Sequence, residues 1–206
     1  MRRRAVLIAV GTALALALVA LTASVFAVTR GASDGESYRG SSPPAGIELA
    51  AFSLRSYRGQ PVSSDSLSGK VVALTFLESK CKEACPVIAF QLARGIEQLS
   101  AEQRQGVRAI AISTHPVDDT PASVRAFLQK QRAVDALAYL VGDERELRPV
   151  WQRDKILSAL DSGSADTHSA SVHIYDRTGV WVSTLHPGVD LSPDNLAHDL
   201  ALALGS

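Results

Sequence analysis

Val71-Val72-Ala73-Leu74-Thr75-Phe76-Leu77-Glu78-Ser79-Lys80-Cys81-Lys82-Glu83-Ala84-Cys85-Pro86 has three parts: an apolar run, a polar connection and the opening of a helical pattern. Val71 to Leu77 is apolar apart from Thr75, the pattern of a central strand covered on both faces. Pro86 suits the first turn of a helix, where its missing N–H costs nothing. Ile88, Leu92, Ile96 and Leu99 then recur at helical spacing. Cys81 and Cys85, which are the 2 cysteines of the chain, therefore stand at a strand-to-helix turn.

That setting favours chemistry. Ligands collect at the carboxyl ends of strands in open α/β sheets. Thiolates are favoured at helix N-termini, where free N–H groups and the macrodipole act on them. Cysteines spaced this way around a turn can face one point, either to form a disulfide or to clamp one metal ion. A plain stabilising disulfide, or two buried thiols, is the bland alternative. Two cysteines are too few for a disulfide scaffold or an all-thiolate zinc site, but they suffice for a dithiol–disulfide couple.

On the N-terminal side, Ile47 to Leu54 alternates with one slip and suggests a strand. Arg58-Gly59-Gln60-Pro61 reads as a turn before a short strand, and Ser68-Gly69-Lys70 as a tight turn. Val107–Ser113 and Leu137–Val141 read as further buried strands. Thr120-Pro121 is an N-cap and first-turn pair. Asp143 and Glu146 form a capped helix start, with Pro149 expected to kink or reset that helix. Ser169–Tyr175 and Val180–Leu185 flank the hairpin signal Asp176-Arg177-Thr178-Gly179, and Ser192-Pro193 opens a last helix. Strands alternating with helices predict an α/β fold, a mixed sheet with helices on both faces.

Arg2, Arg3 and Arg4 precede an uncharged run from Ala5 to Thr29, closed by Arg30. The run is long enough to cross a bilayer core of about 30 Å at about 1.5 Å per residue. The arginines place the N-terminus on the cytoplasmic side, leaving the rest of the chain outside. Residues 1–30 are thus expected to be a transmembrane anchor in the cell membrane. A cleaved signal peptide ending near Val25-Phe26-Ala27 is the competing reading. No cysteine closes the run, which excludes lipidation there. Residues 31–46 are small, polar and Pro/Gly-rich, the composition of a linker, and 47–206 form the expected domain. In an extracytoplasmic compartment Cys81 and Cys85 can meet as a disulfide.

Cys-x-x-x-Cys-Pro after an apolar strand resembles the Sco/SenC family of thioredoxin-like copper chaperones for cytochrome c oxidase assembly. Gly59-Gln60-Pro61-Val62 through Leu67-Ser68-Gly69-Lys70-Val71-Val72 is similar to that family's opening hairpin. Ser113-Thr114-His115-Pro116-Val117-Asp118-Asp119-Thr120-Pro121 is similar to its S-x-D-P-x-R-D-T-P segment, and Thr167-His168-Ser169-Ala170 to its histidine segment. The resemblance covers residues 46–204.

The resemblance implies a thioredoxin-like fold and a copper site made by Cys81, Cys85 and His168. It implies a copper-containing terminal oxidase subunit as partner, together with a copper donor and a thiol reductant. The donor set is chemically apt: thiolate suits copper(I), and imidazole suits copper(II). A metal-independent thiol–disulfide oxidoreductase acting through Cys81 and Cys85 is the rival expectation. Departures from the family surround the ligands: Thr167 replaces the aspartate before the histidine, Lys82 stands where proline is common, and His115 and Asp118 replace an aspartate and an arginine.

His115 follows a strand's carboxyl end and could reach the cysteines as an extra ligand, although an exposed loop histidine is the plainer expectation. His173, His186 and His198 read as structural or solvent-facing. Asp118, Asp119, Asp143, Glu144 and Glu146 read as caps and solvated faces. With 21 basic and 21 acidic residues, the charge balance gives no reason to expect a nucleic-acid partner. No glycine-rich phosphate loop and no Gly-x-Ser-x-Gly elbow is present.

Overall fold

The computed structural model describes residues 36–156, 158, 161 and 171–205. The expected anchor over 1–30 and His168 lie outside the described residues. Among the described residues, no helix is long and apolar enough to cross a membrane.

In chain order the elements are β1 (Ser53–Ser56), β2 (Pro61–Ser63), a 3₁₀ turn (Ser64–Leu67), β3 (Val71–Leu77) and α1 (Ala84–Gln98). Then come α2 (Ala101–Gly106), β4 (Val107–Ser113), α3 (Pro121–Lys130), β5 (Leu137–Val141) and α4 (Glu144–Arg153). The chain closes with β6 (Val172–Tyr175), β7 (Trp181–Leu185) and α5 (Pro193–Leu204).

One 7-stranded sheet runs in the order β2-β1-β5-β4-β3-β6-β7. β3, β4 and β5 are parallel, while the flanking pairs are antiparallel. The sheet is therefore mixed, as the alternation of strands and helices predicts.

β3 shows why its sequence is continuously apolar. Val71, Ala73 and Leu77 face a core built with Ile88, Leu92, Val124, Leu128, Leu196 and Leu200 from α1, α3 and α5. Val72, Leu74 and Phe76 face the opposite core, with Leu147, Val150 and Trp151 from α4. The period of two sends alternate residues into two separate helical layers.

Three local expectations change. The slip within Ile47–Leu54 separates two pairings: Glu48 bridges to Val180, and the strand proper starts only at Ser53. Helix α2 was not expected; its signal is the capping box of Ser100 and Gln103. Helix α4 continues through Pro149 to Arg153 instead of restarting there, with Asp143 and Glu146 forming the expected capping box.

The described end of the expected linker lies against the domain. Ser41 pairs with Thr184 of β7, and the Arg39 and Gly40 N–H groups donate to Asp199 of α5 at 2.7 and 3.0 Å. Gly40 is required by closeness: a Cβ there would stand 2.3 Å from Ser183 Oγ and 2.6 Å from the Thr184 carbonyl oxygen.

Candidate metal centre

The carboxyl end of β3 delivers Glu78, and a turn closed by the Cys81 N–H on the Glu78 carbonyl (3.3 Å) brings the chain round to α1. The N-cap of α1, Glu83, makes no side-chain capping hydrogen bond. Cys81 Sγ takes over part of that task by accepting the N–H of Cys85 in the first turn, at 3.4 Å. Cys85 Sγ in turn accepts the N–H of Glu78 at 3.5 Å.

Both cysteines are buried in one core cluster, Cys81 at 5% exposure and Cys85 at 0%, and they are not disulfide-bonded to each other. The hydrogen bond with Cys81, and then burial, push the Cys85 thiol well above its ordinary range. A metal ion would have to displace that proton. Cys81 lines a depression of about 390 Å³ with Lys82, Pro86 and Phe127, so its side of the pair faces outward.

Asp119 fixes this turn from the turn that follows β4. Its Oδ1 accepts the Ser79 N–H at 2.7 Å, and its Oδ2 accepts the Ser113 and Tyr139 hydroxyls at 2.6 and 2.8 Å. Burial raises its pKa, against the opposing pull of these hydrogen bonds. The expectation of a solvated face fails for Asp119, which is 3% exposed. It fails in part for Asp118, which pairs with Lys80 at 2.7 Å and with His115. It holds for Asp143 and Glu146 as caps, and for Glu144, which pairs with Arg148.

His115 is not the exposed loop histidine of the plainer expectation. Its Nδ1 lies 3.3 Å from Glu78 Oε1 and 3.0 Å from Asp118 Oδ2. His173 is buried and structural: it stacks on Trp181 at 4.2 Å and exchanges a hydrogen bond with Ser171 Oγ. His186 is about half exposed and sits near Asp190. His198 is part-buried on α5. Of the three ligands that the resemblance implies, the structure brings together Cys81 and Cys85, while His168 lies outside the described residues.

The family model described as SCO1/SenC matches residues 41–205. The chain belongs to the SCO1/SenC family. Among curated relatives, it is 27% identical over 145 residues to the mitochondrial Sco2 protein of Saccharomyces cerevisiae, covering 68% of this chain and 48% of that one. The chain spans less than half the length of the curated relatives it matches. Among solved structures, copper-bound ScoI of Bradyrhizobium japonicum is 26% identical with a TM-score of 0.63, covering 75% of this chain and 98% of that chain. BsSco, described as a member of the Sco family of cytochrome c oxidase assembly proteins, shares the fold at 22% identity. Its TM-score is 0.63, and the match covers 80% of this chain and 97% of that chain. The SCO1/SenC match thus spans the whole sheet and both cysteines.

Proposed function

We propose that this SCO1/SenC protein is a membrane-anchored copper metallochaperone, with Cys81, Cys85 and His168 holding copper as cargo. The observation that carries the reading is the cysteine pair itself. Two sulfurs, linked through the Cys85 N–H and buried in one apolar cluster, converge at the C-terminal edge of the sheet. Soft thiolates suit copper(I), and a histidine added to them accommodates copper(II). The copper-bound ScoI structure lends the metal its support.

The recipient is the copper-containing subunit of a terminal oxidase, in keeping with the cytochrome c oxidase assembly role described for BsSco. The run Ala5–Thr29 anchors the chain and leaves the domain on the extracytoplasmic side, where a copper donor and a thiol reductant must also work. Competition for copper(I) against a chelator tests this on the reduced full-length protein in detergent. One tight equivalent is expected, weakened roughly 100-fold or more by Cys81→Ser and roughly tenfold or more by His168→Ala. Equal binding by wild type and a Cys81→Ser/Cys85→Ser variant would overturn it.

A second reading, disulfide reduction by the same pair, rests on the asymmetry of the sulfurs. Cys81 lines an outward depression, whereas Cys85 is fully buried behind it. That is the arrangement of an attacking and a resolving thiol. Reduction of a model disulfide by metal-free protein, abolished by Cys81→Ser, supports it; no reduction above a cysteine-free control excludes it.

A further inference from the structure

We infer that Glu78, His115 and Asp118 form a second metal site, for a divalent first-row transition ion, beside the cysteine pair. Two pieces of chain build it, the residue after β3 and the turn after β4. Glu78 follows β3, His115 follows β4, and Asp118 lies on the turn whose Asp118 and Asp119 N–H groups donate to the His115 carbonyl. The parallel register that sets Leu77 opposite Ser113 brings residues 78 and 115 to the same edge of the sheet.

The spacing fits a metal. One ligand atom from each residue lies within 4.8 Å of the other two. Ligands held about 2.0–2.2 Å from one ion stand roughly 3.0–3.5 Å apart at ordinary coordination angles. His115 Nδ1 lies 3.0 and 3.3 Å from its two carboxylate neighbours. These contacts are close, yet neither is aligned as a hydrogen bond, and the buried Nδ1 makes no other among the described residues. A protonated imidazole held simply by ion pairing would turn its N–H along one of the two oxygens. A buried nitrogen 3.0 and 3.3 Å from two carboxylate oxygens is spaced as one edge of a coordination sphere.

The surroundings support the same reading. Glu78 is fully buried, while the His115 and Asp118 side chains are 21% and 26% exposed, so an ion would enter from the His115 side and keep water there. Lys80 holds the other Asp118 oxygen, Oδ1, and leaves Oδ2 toward the histidine. The cysteine sulfurs are not members of this cluster. One imidazole and two carboxylates form a harder donor set than two thiolates. Copper(II) should bind most tightly, ahead of zinc, by the general order of divalent affinities. The pairing would give this chain a hard-ligand site and a soft-ligand site side by side.

The test removes the soft site. Full-length protein in detergent carrying Cys81→Ser and Cys85→Ser is stripped of metal and titrated with copper(II), followed by electron paramagnetic resonance. One equivalent should bind with coupling to one nitrogen. Adding His115→Asn, or Glu78→Gln, should weaken it roughly tenfold or more, whereas adding His168→Asn should leave it within about twofold. If Glu78→Gln does not fold, the part-exposed His115→Asn decides. The site is refuted if the thiol-free protein binds copper(II) no better with His115 than without it, or if His168→Asn abolishes binding. The copper(I) competition above reads the thiol site alone, so either site can fail without the other.

Discussion

Both oxygens of Asp119 are engaged, one by a backbone N–H and the other by two hydroxyls, all on segments that frame the cysteine turn. Asp119→Asn would set an amide N–H₂ against donors and leave buried groups mismatched. We expect it to cost about 1–3 kcal/mol of stability in chemical denaturation. An unchanged midpoint would show that the network is not holding the turn. His173 offers a second test. Burial first, and then the charge on His186, lower its pKa from 6.5 to about 4. The unfolded chain therefore takes up the proton first as the solution is acidified. Stability should rise with pH from about 4 to about 6.5, by roughly 3 kcal/mol at about 1.4 kcal/mol per unit. His173→Phe, which keeps an aromatic ring against Trp181, should flatten that window; an unaltered slope would assign the acid sensitivity to other groups.

Elements were legible where local pattern dictates them. The buried strands Val71–Leu77, Val107–Ser113 and Leu137–Val141 follow the expected bounds, because continuous apolar runs leave no other way to bury both faces. The short helix Ala101–Gly106 has no buried face to give it an apolar period, and only its capping box marks it. The packing of α1 on α5 was not legible at all. Gly95 exists for it: a Cβ would stand 2.6 Å from Leu196 Cδ2 and 3.0 Å from Leu196 Cβ. Gly95→Ala should overpack this contact and destabilise the protein by about 1–3 kcal/mol in thermal or chemical unfolding. A neutral effect would mean that the two helices separate without cost.

Across the whole molecule, the cysteine pair could be read from its strand-to-helix setting, but what surrounds it could not. Asp119 lies 40 residues from its partner Ser79, and His115 meets Glu78 only because β3 and β4 run parallel in one register. Such contacts belong to the sheet and not to any local pattern, which is why the aspartates looked like solvated caps and His115 like a loop residue. The membrane run and His168 were named from sequence alone and lie outside the described residues. A copper ion held by two sulfurs and one distant histidine is therefore tested most directly by X-ray absorption on reduced full-length protein carrying one equivalent of copper(I). A first shell of two sulfurs and one nitrogen is expected, with the nitrogen lost in His168→Ala. A shell without sulfur, or one whose nitrogen persists in that variant, would contradict it.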